Sequence, residues 1–250
     1  MRIFRKIRKN LLILGKIKNY LLYALGEILL IVIGVLIAWK INNLNELRKN
    51  RIVELKIYQS LNEELNSNLI LLDASIASYT KNTLAIEKTM DIIVQEEKNE
   101  LALDDKLSII NVDYKATKLH NGAINSVNTT NKFEFIESTV LKDLIAAYPN
   151  ELDSFESQET KIENIIVNRL QPAIEKHISL IDILTNRELK SNKIQRFSGQ
   201  SNYFSLLTSR EYQNCLVDRL LQTEIQLKNA VNLRDKTQTI ASNLHKELKD

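Results

Sequence analysis

Glycine, proline and cysteine are all scarce in this chain. Its 250 residues include five glycines and two prolines, and beyond Gly34 only Gly122, Gly199, Pro149 and Pro172 remain to make turns. Strands joined by hairpins need many more tight turns, so a β-rich fold is excluded. The breakers instead delimit long stretches of Leu, Ile, Lys, Glu, Asn and Gln, which predicts an all-α protein. The lone Cys215 cannot form an intramolecular disulfide, and it says nothing for or against an oxidising compartment. It reads as a small buried hydrophobe.

Acidic residues are absent before Glu27, whereas Arg2, Arg5, Lys6, Arg8, Lys9, Lys16 and Lys18 crowd the first eighteen positions. These account for the formal net charge of +3 and leave the remainder slightly acidic. A nucleic-acid-binding body, with a basic face interleaved with aromatics, is not expected. Motifs of enzyme chemistry are missing as well. There is no phosphate-cradling glycine loop, no His-Glu-x-x-His and no Gly-x-Ser-x-Gly turn. The histidines, His120, His177 and His245, lie far apart. Adjacent carboxylates such as Glu63-Glu64, Glu96-Glu97 and Asp104-Asp105 would diverge by about 100° on a helix and read as a solvated face. No catalytic, metal-binding or cofactor-binding residue is singled out, and a non-enzyme is expected.

What the chain does have is an uninterrupted apolar run, Tyr20 to Trp39. Twenty helical residues span about 30 Å, the thickness of a bilayer's hydrocarbon core. The run exceeds the ~7 to 15 residues of a signal-peptide core, and a cut after Ala38 would place bulky Leu36 where a small residue is wanted. An uncleaved signal anchor is therefore predicted over 20–39. Lys40, Arg48, Lys49, Arg51 and Lys56 follow it, so the basic bias of seven before to five after favours a cytoplasmic N-terminus. The body, 40–250, would then lie outside the cytoplasm.

Residues 1–19 form a basic segment. Ile3, Phe4, Ile7, Leu11 and Leu14 recur at helical spacing, with Arg2, Arg5, Lys6, Arg8 and Lys9 on the remaining surface. That pattern suits either a short helix on an anionic membrane face or a solvated tail needed only for orientation. Within the run, Glu27 is the one ionisable group, and an intramembrane carboxylate tends to be protonated or to face a protein partner. Gly26, Gly34 and Ala38 share the interval-of-four stripe that lets a second helix approach. Together they predict helix association in the membrane, set against a single helix with Glu27 neutral or reaching toward the headgroups.

Beyond Trp39 no breaker appears before Gly122, so the membrane helix should continue outward as a long helix over about 42–98. Tyr58, Leu65, Leu72, Tyr79, Ile86 and Ile93 form one heptad row. Leu55, Leu69, Ile76 and Met90 form a companion row, interrupted by Asn62 and Thr83. This fits a coiled coil or one long member of a bundle. Residues 101–149 read as short helices and loop, with Asn121 to Lys132 a polar surface connection, and with Ser138 capping a helix that Pro149 ends. A helix over about 151–189, kinked near Pro172, and another over about 204–248 complete an antiparallel bundle.

Phe4-Arg5-Lys6-Ile7-Arg8, then Tyr23-Ala24-Leu25-Gly26-Glu27 within the run, then Ile41-Asn42-Asn43-Leu44-Asn45-Glu46, resemble the N-terminal signature of an uncharacterised family of bacterial single-pass membrane proteins. The likeness covers residues 4 to 46, departing at Lys40 and at Leu44, where Trp is common in the family. It implies a bacterial membrane location and a helical body, and carries no activity. The expectation is a non-catalytic scaffold or interaction module of the envelope, contacting membrane lipid and either a second copy or another envelope protein, with no small-molecule substrate identified. The alternative is a ligand-sensing bundle acting through a partner, and an unfamiliar enzyme comes last.

Overall fold

Most stretches without glycine or proline fold as helices in the computed structural model, which describes residues 17–95, 101–179 and 201–249. Helix α1, Ile17–Val94, is a single element 78 residues long, as the missing breakers lead one to expect. Two compact units divide the chain, Met1–Leu55 and Lys56–Asp250. In the first, the helix surface from Leu21 to Val53 exposes its large apolar side chains all round.

The second unit adds α2 (Leu103–Ile109), α3 (Gly122–Thr129), a 3-10 turn (Asn131–Phe135) and α4 (Thr139–Ile165). A π turn (Ile166–Leu170), α5 (Gln171–Glu175), α6 (Tyr203–Leu207) and α7 (Arg210–Glu247) follow. No strand occurs among the described residues. Helices α4 and α7 pack antiparallel: Tyr148 Oη meets Thr237 Oγ1 at 2.8 Å, Gln158 Nε2 donates to Gln222 Oε1 at 2.9 Å, and Arg169 pairs with Asp218. The heptad row of α1 faces this pair, with Tyr58, Leu65, Leu72, Tyr79 and Ile86 buried and Ile93 half-buried. The companion row is only partly enclosed. Leu69 is buried, whereas Leu55, Asn62, Ile76, Thr83 and Met90 are half-buried. The second largely buried row is instead Leu61, Asn68, Ser75 and Thr89, with the half-buried Asn82 between the last two.

Two apolar cores stack along the bundle. One gathers Tyr58, Leu65, Leu72, Ile124, Ile145, Phe155 and Leu244, and the other Ile86, Ile109, Ile162, Leu170, Ile174 and Leu216. Between them on α4 and α7 lies a buried polar layer of Gln158, Glu159, Arg219, Thr223 and Gln226. Cys215 is buried and unpaired, and burial pushes its thiol pKa up.

Three expectations need correction. Pro149 does not end a helix, because α4 runs from Thr139 through it, so the helix expected from 151 begins twelve residues earlier. Proline removes the N–H that would bond the Ile145 carbonyl four residues back. The Asn128 side-chain amide from α3 occupies that carbonyl, donating from Nδ2 at 3.2 Å. Asn121 to Lys132 is not a surface connection either. It holds α3, whose Ile124 and Val127 are buried. A carboxylate from elsewhere in the chain starts this helix: Glu64 on α1 accepts from Ala123 N at 2.7 Å and Ile124 N at 3.0 Å, satisfying N–H groups that a helix start leaves orphaned. Finally, the last helix begins at Arg210, capped by Ser209, after the separate turn α6. The bend expected near Pro172 takes the form of the π turn just before it. The parts of the predicted helices at 96–98 and 180–189 lie outside the described residues.

The pairing of Asn128 with Pro149 has a measurable signature. Asn128→Ala should cost about 1 to 2 kcal/mol, the usual penalty for a polar group left unpaired. In a Pro149→Ala background the cost should fall below half of that, because the substituted alanine brings back a backbone N–H for the Ile145 carbonyl. Equal costs in both backgrounds, measured by denaturant unfolding, would contradict this account.

Candidate functional site

The segment from Ile110 to Asn121 contains no helix, yet it lies among three of them. A strand in this position would pair with a neighbour; here the helices supply side chains instead. Tyr212 Oη donates to Ile109 O at 2.6 Å. Arg219 donates from Nη1 to Asn111 O and from Nη2 to Asp113 O at 2.9 Å. Tyr114 Oη donates to Glu159 O at 2.9 Å. Asn68 closes the far end reciprocally, its Nδ2 donating to His120 O at 2.7 Å while its Oδ1 accepts from His120 N at 2.8 Å. The segment runs antiparallel to α1, with Ser108 beside Thr89 (2.9 Å), Thr117 beside Ser75 (2.6 Å) and His120 beside Asn68. The buried polar row of α1 is therefore the seat of this strap.

At the centre sits Glu159 of α4, 4% exposed. Its two carboxylate oxygens accept from Thr117 N at 2.9 and 3.0 Å, and Oε1 also accepts from Tyr79 Oη. Burial pushes the Glu159 pKa above the usual carboxylate value, and the hydrogen bonds from Tyr79 and Thr117 offset part of that rise. Burial and the same carboxylate push the Tyr79 phenol up in turn, so it remains a donor. Arg219, 1% exposed, has its pKa lowered by burial to about 10, with Tyr212 and Asp113 acting in the opposite direction. It keeps its proton at neutral pH and binds backbone carbonyls. Among the described residues its Nε has no hydrogen-bond partner, and neither has the Oε1 of Gln226.

Two open clefts flank the strap. The larger, about 590 Å³, lies between the α1 turn from Leu71 to Tyr79 and the strap residues Lys115 to Lys118. The smaller, about 330 Å³, is lined by Tyr114, Lys118, Glu156, Glu159, Thr160 and Glu163.

The residues predicted for the membrane segment lie elsewhere. Gly26, Gly34 and Ala38 are exposed and Glu27 is half-buried. A Cβ added at Gly26 or Gly34 would meet open space. The basic residues Arg2, Arg5, Lys6, Arg8 and Lys9 fall outside the described residues. No cluster of three potential metal ligands occurs among the described residues. His177 Nδ1 lies 3.1 Å from Ser205 Oγ, and His120 is engaged through its backbone. Of the adjacent carboxylates, Glu64 caps α3 and Asp105 is buried beside Lys88 at 3.4 Å, so neither belongs to a solvated face. Sequence reasoning missed Asn68, Glu64 and Glu159 because each is a polar residue on a helix whose partner lies 42 or more residues away.

Compared with protein-family models, with curated proteins and with solved structures, the chain matches none.

Proposed function

We propose that this is a single-pass protein of the bacterial inner membrane, N-terminus in the cytoplasm, whose helical body is a non-catalytic interaction module of the envelope. The observation that carries the reading is the first part of α1. It is long and apolar enough to cross a membrane, and the most hydropathic stretch of it is 0% buried within the chain itself. Such a surface needs lipid or protein around it. The charge bias around the run supports the orientation, and the resemblance of residues 4 to 46 supports the bacterial envelope. Helix α7 adds a face on which Val217, Leu221 and Ile225, at intervals of four, are all exposed.

A second copy of the chain is the partner this reading names first. Gly34 and Ala38 leave room for a close helix approach, and two copies in one membrane meet at raised effective concentration. Single cysteines at Ala38 and Leu221, crosslinked in native membranes, should give an adduct at twice the chain mass. An adduct of any other mass would replace the second copy by another envelope protein. A monomer alone at both positions would sink the interaction reading.

A separate observation favours a ligand-binding role for the body: the cleft between α1 and the strap has the size of a small-molecule site, roughly 300 to 1,000 Å³.

A further inference from the structure

The occupant of that cleft can be argued from the hydrogens its lining has left to give. Each hydroxyl carries one. Ser75 Oγ donates to Leu71 O at 2.8 Å, so its contact with Thr117 Oγ1 at 2.6 Å is one in which Thr117 donates. Tyr79 Oη donates to Glu159. The hydroxyls of Ser75, Thr117 and Tyr79 have thus committed their protons inward, to one another and to the protein. Donors not committed within the protein are the hydroxyl of exposed Ser78 and, at the edge, Lys115 and Lys118, which are exposed and form no ion pair among the described residues. Leu71, Ala74 and Ala116 supply apolar wall between them.

The two sides of the strap differ in charge. Glu156, Glu159 and Glu163 line the smaller cleft together with Lys118, which lines both clefts, and the Glu159 carboxylate already accepts three hydrogen bonds there. The larger cleft has two ammonium groups and no carboxylate in its lining. A cation is drawn to the far side and an anion to the near one.

We propose that the cleft between Leu71–Tyr79 and Lys115–Lys118 binds a small organic anion with an apolar body, its hydrocarbon against Leu71, Ala74 and Ala116 and its charged end at Lys115 and Lys118. This rests on the ligand-binding reading above and specifies the chemical class. A carboxylate on a short hydrocarbon suits this lining, because Leu71, Ala74 and Ala116 are apolar and the charged donors are the two lysines at the edge, with the Ser78 hydroxyl a further, neutral donor.

The test is a titration of the full chain in lipid nanodiscs, with methyl-labelled alanine and leucine, using hexanoate, hexanol, hexylammonium and acetate as probes. Hexanoate should produce saturable shifts of the Ala74 and Ala116 methyl resonances. The Lys115→Gln, Lys118→Gln double variant should weaken it by about tenfold or more, the loss expected for charge-assisted hydrogen bonds. Ala74→Trp, at an exposed helix position, should fill the cleft and abolish the shifts while Cys215 stays protected from thiol reagents. Acetate, lacking the apolar body, should bind much more weakly than hexanoate. Binding of hexanol or hexylammonium as tight as that of hexanoate would overturn the anionic class and leave a ligand site of another kind. No saturable shift with any probe at millimolar concentration would overturn both, as would a response equal at Leu221 on the distant α7 face.

Discussion

Asn68→Ala should destabilise the body by about 2 to 4 kcal/mol, because it strips partners from two backbone groups at once and leaves a small void. Asn68 is fully buried, and its amide engages both the carbonyl and the N–H of His120. Asn68→Asp provides the sharper contrast. Its carboxylate can still accept from His120 N, but its second oxygen would face the His120 carbonyl, acceptor against acceptor. The aspartate should therefore be worse than alanine at neutral pH. It should recover on acidification, as protonation restores a donor; its folded-state pKa is raised, so its stability rises as pH falls through that value. Both can be read from the denaturant dependence of thiol labelling at Cys215, which is shielded until the body opens. A loss below about 1 kcal/mol for Asn68→Ala would mean that the strap does not depend on this amide.

Glu159→Ala should cost about 3 kcal/mol or more, since Thr117 N and Tyr79 Oη lose their acceptor inside the polar layer. Glu159→Gln retains one acceptor oxygen and should cost less. The glutamine also removes a titration, and the sign of that effect follows from burial. The carboxyl pKa is raised above its ordinary 4.5 in the folded chain, so the folded state holds this proton more tightly than the unfolded one. The contribution is most favourable below pH 4.5 and declines as pH rises through the window up to the raised value. The stability difference between the wild type and Glu159→Gln should therefore drift against the wild type as pH rises from 4.5 toward neutrality. A difference independent of pH across that range would refute the raised pKa.

Periodicity made the first α1 row legible. Tyr58, Leu65, Leu72, Tyr79, Ile86 and Ile93 are apolar at every seventh position, and all but the half-buried Ile93 are buried. It failed for the second row, because an apolar-or-polar reading sends Asn68, Ser75 and Thr89 to the surface, whereas each is buried against the strap. The same blindness explains Pro149 and Asn121–Lys132. Proline interrupts a helix only when nothing else takes up the freed carbonyl, and Asn128 lies 17 residues from Ile145 in sequence. A polar stretch is a loop only when nothing caps its start, and Glu64 lies 59 residues from Ala123. Local chemistry shows the groups that need partners; the partners themselves come from the tertiary fold. The cleft was illegible for that reason too, since its walls are 42 residues apart at Ser75 and Thr117.

The strap also sets an order of events. Its first residues are held by Tyr212 and Arg219, which follow the groups they bind by 103 and 108 residues. A chain synthesised from its N-terminus has placed α1 and the strap long before α7 emerges, and domains generally fold only as their parts become available. Until then Ile109, Asn111 and Asp113 have no side chain to receive their carbonyls from α7. The closing of the body is thereby timed to its last helix.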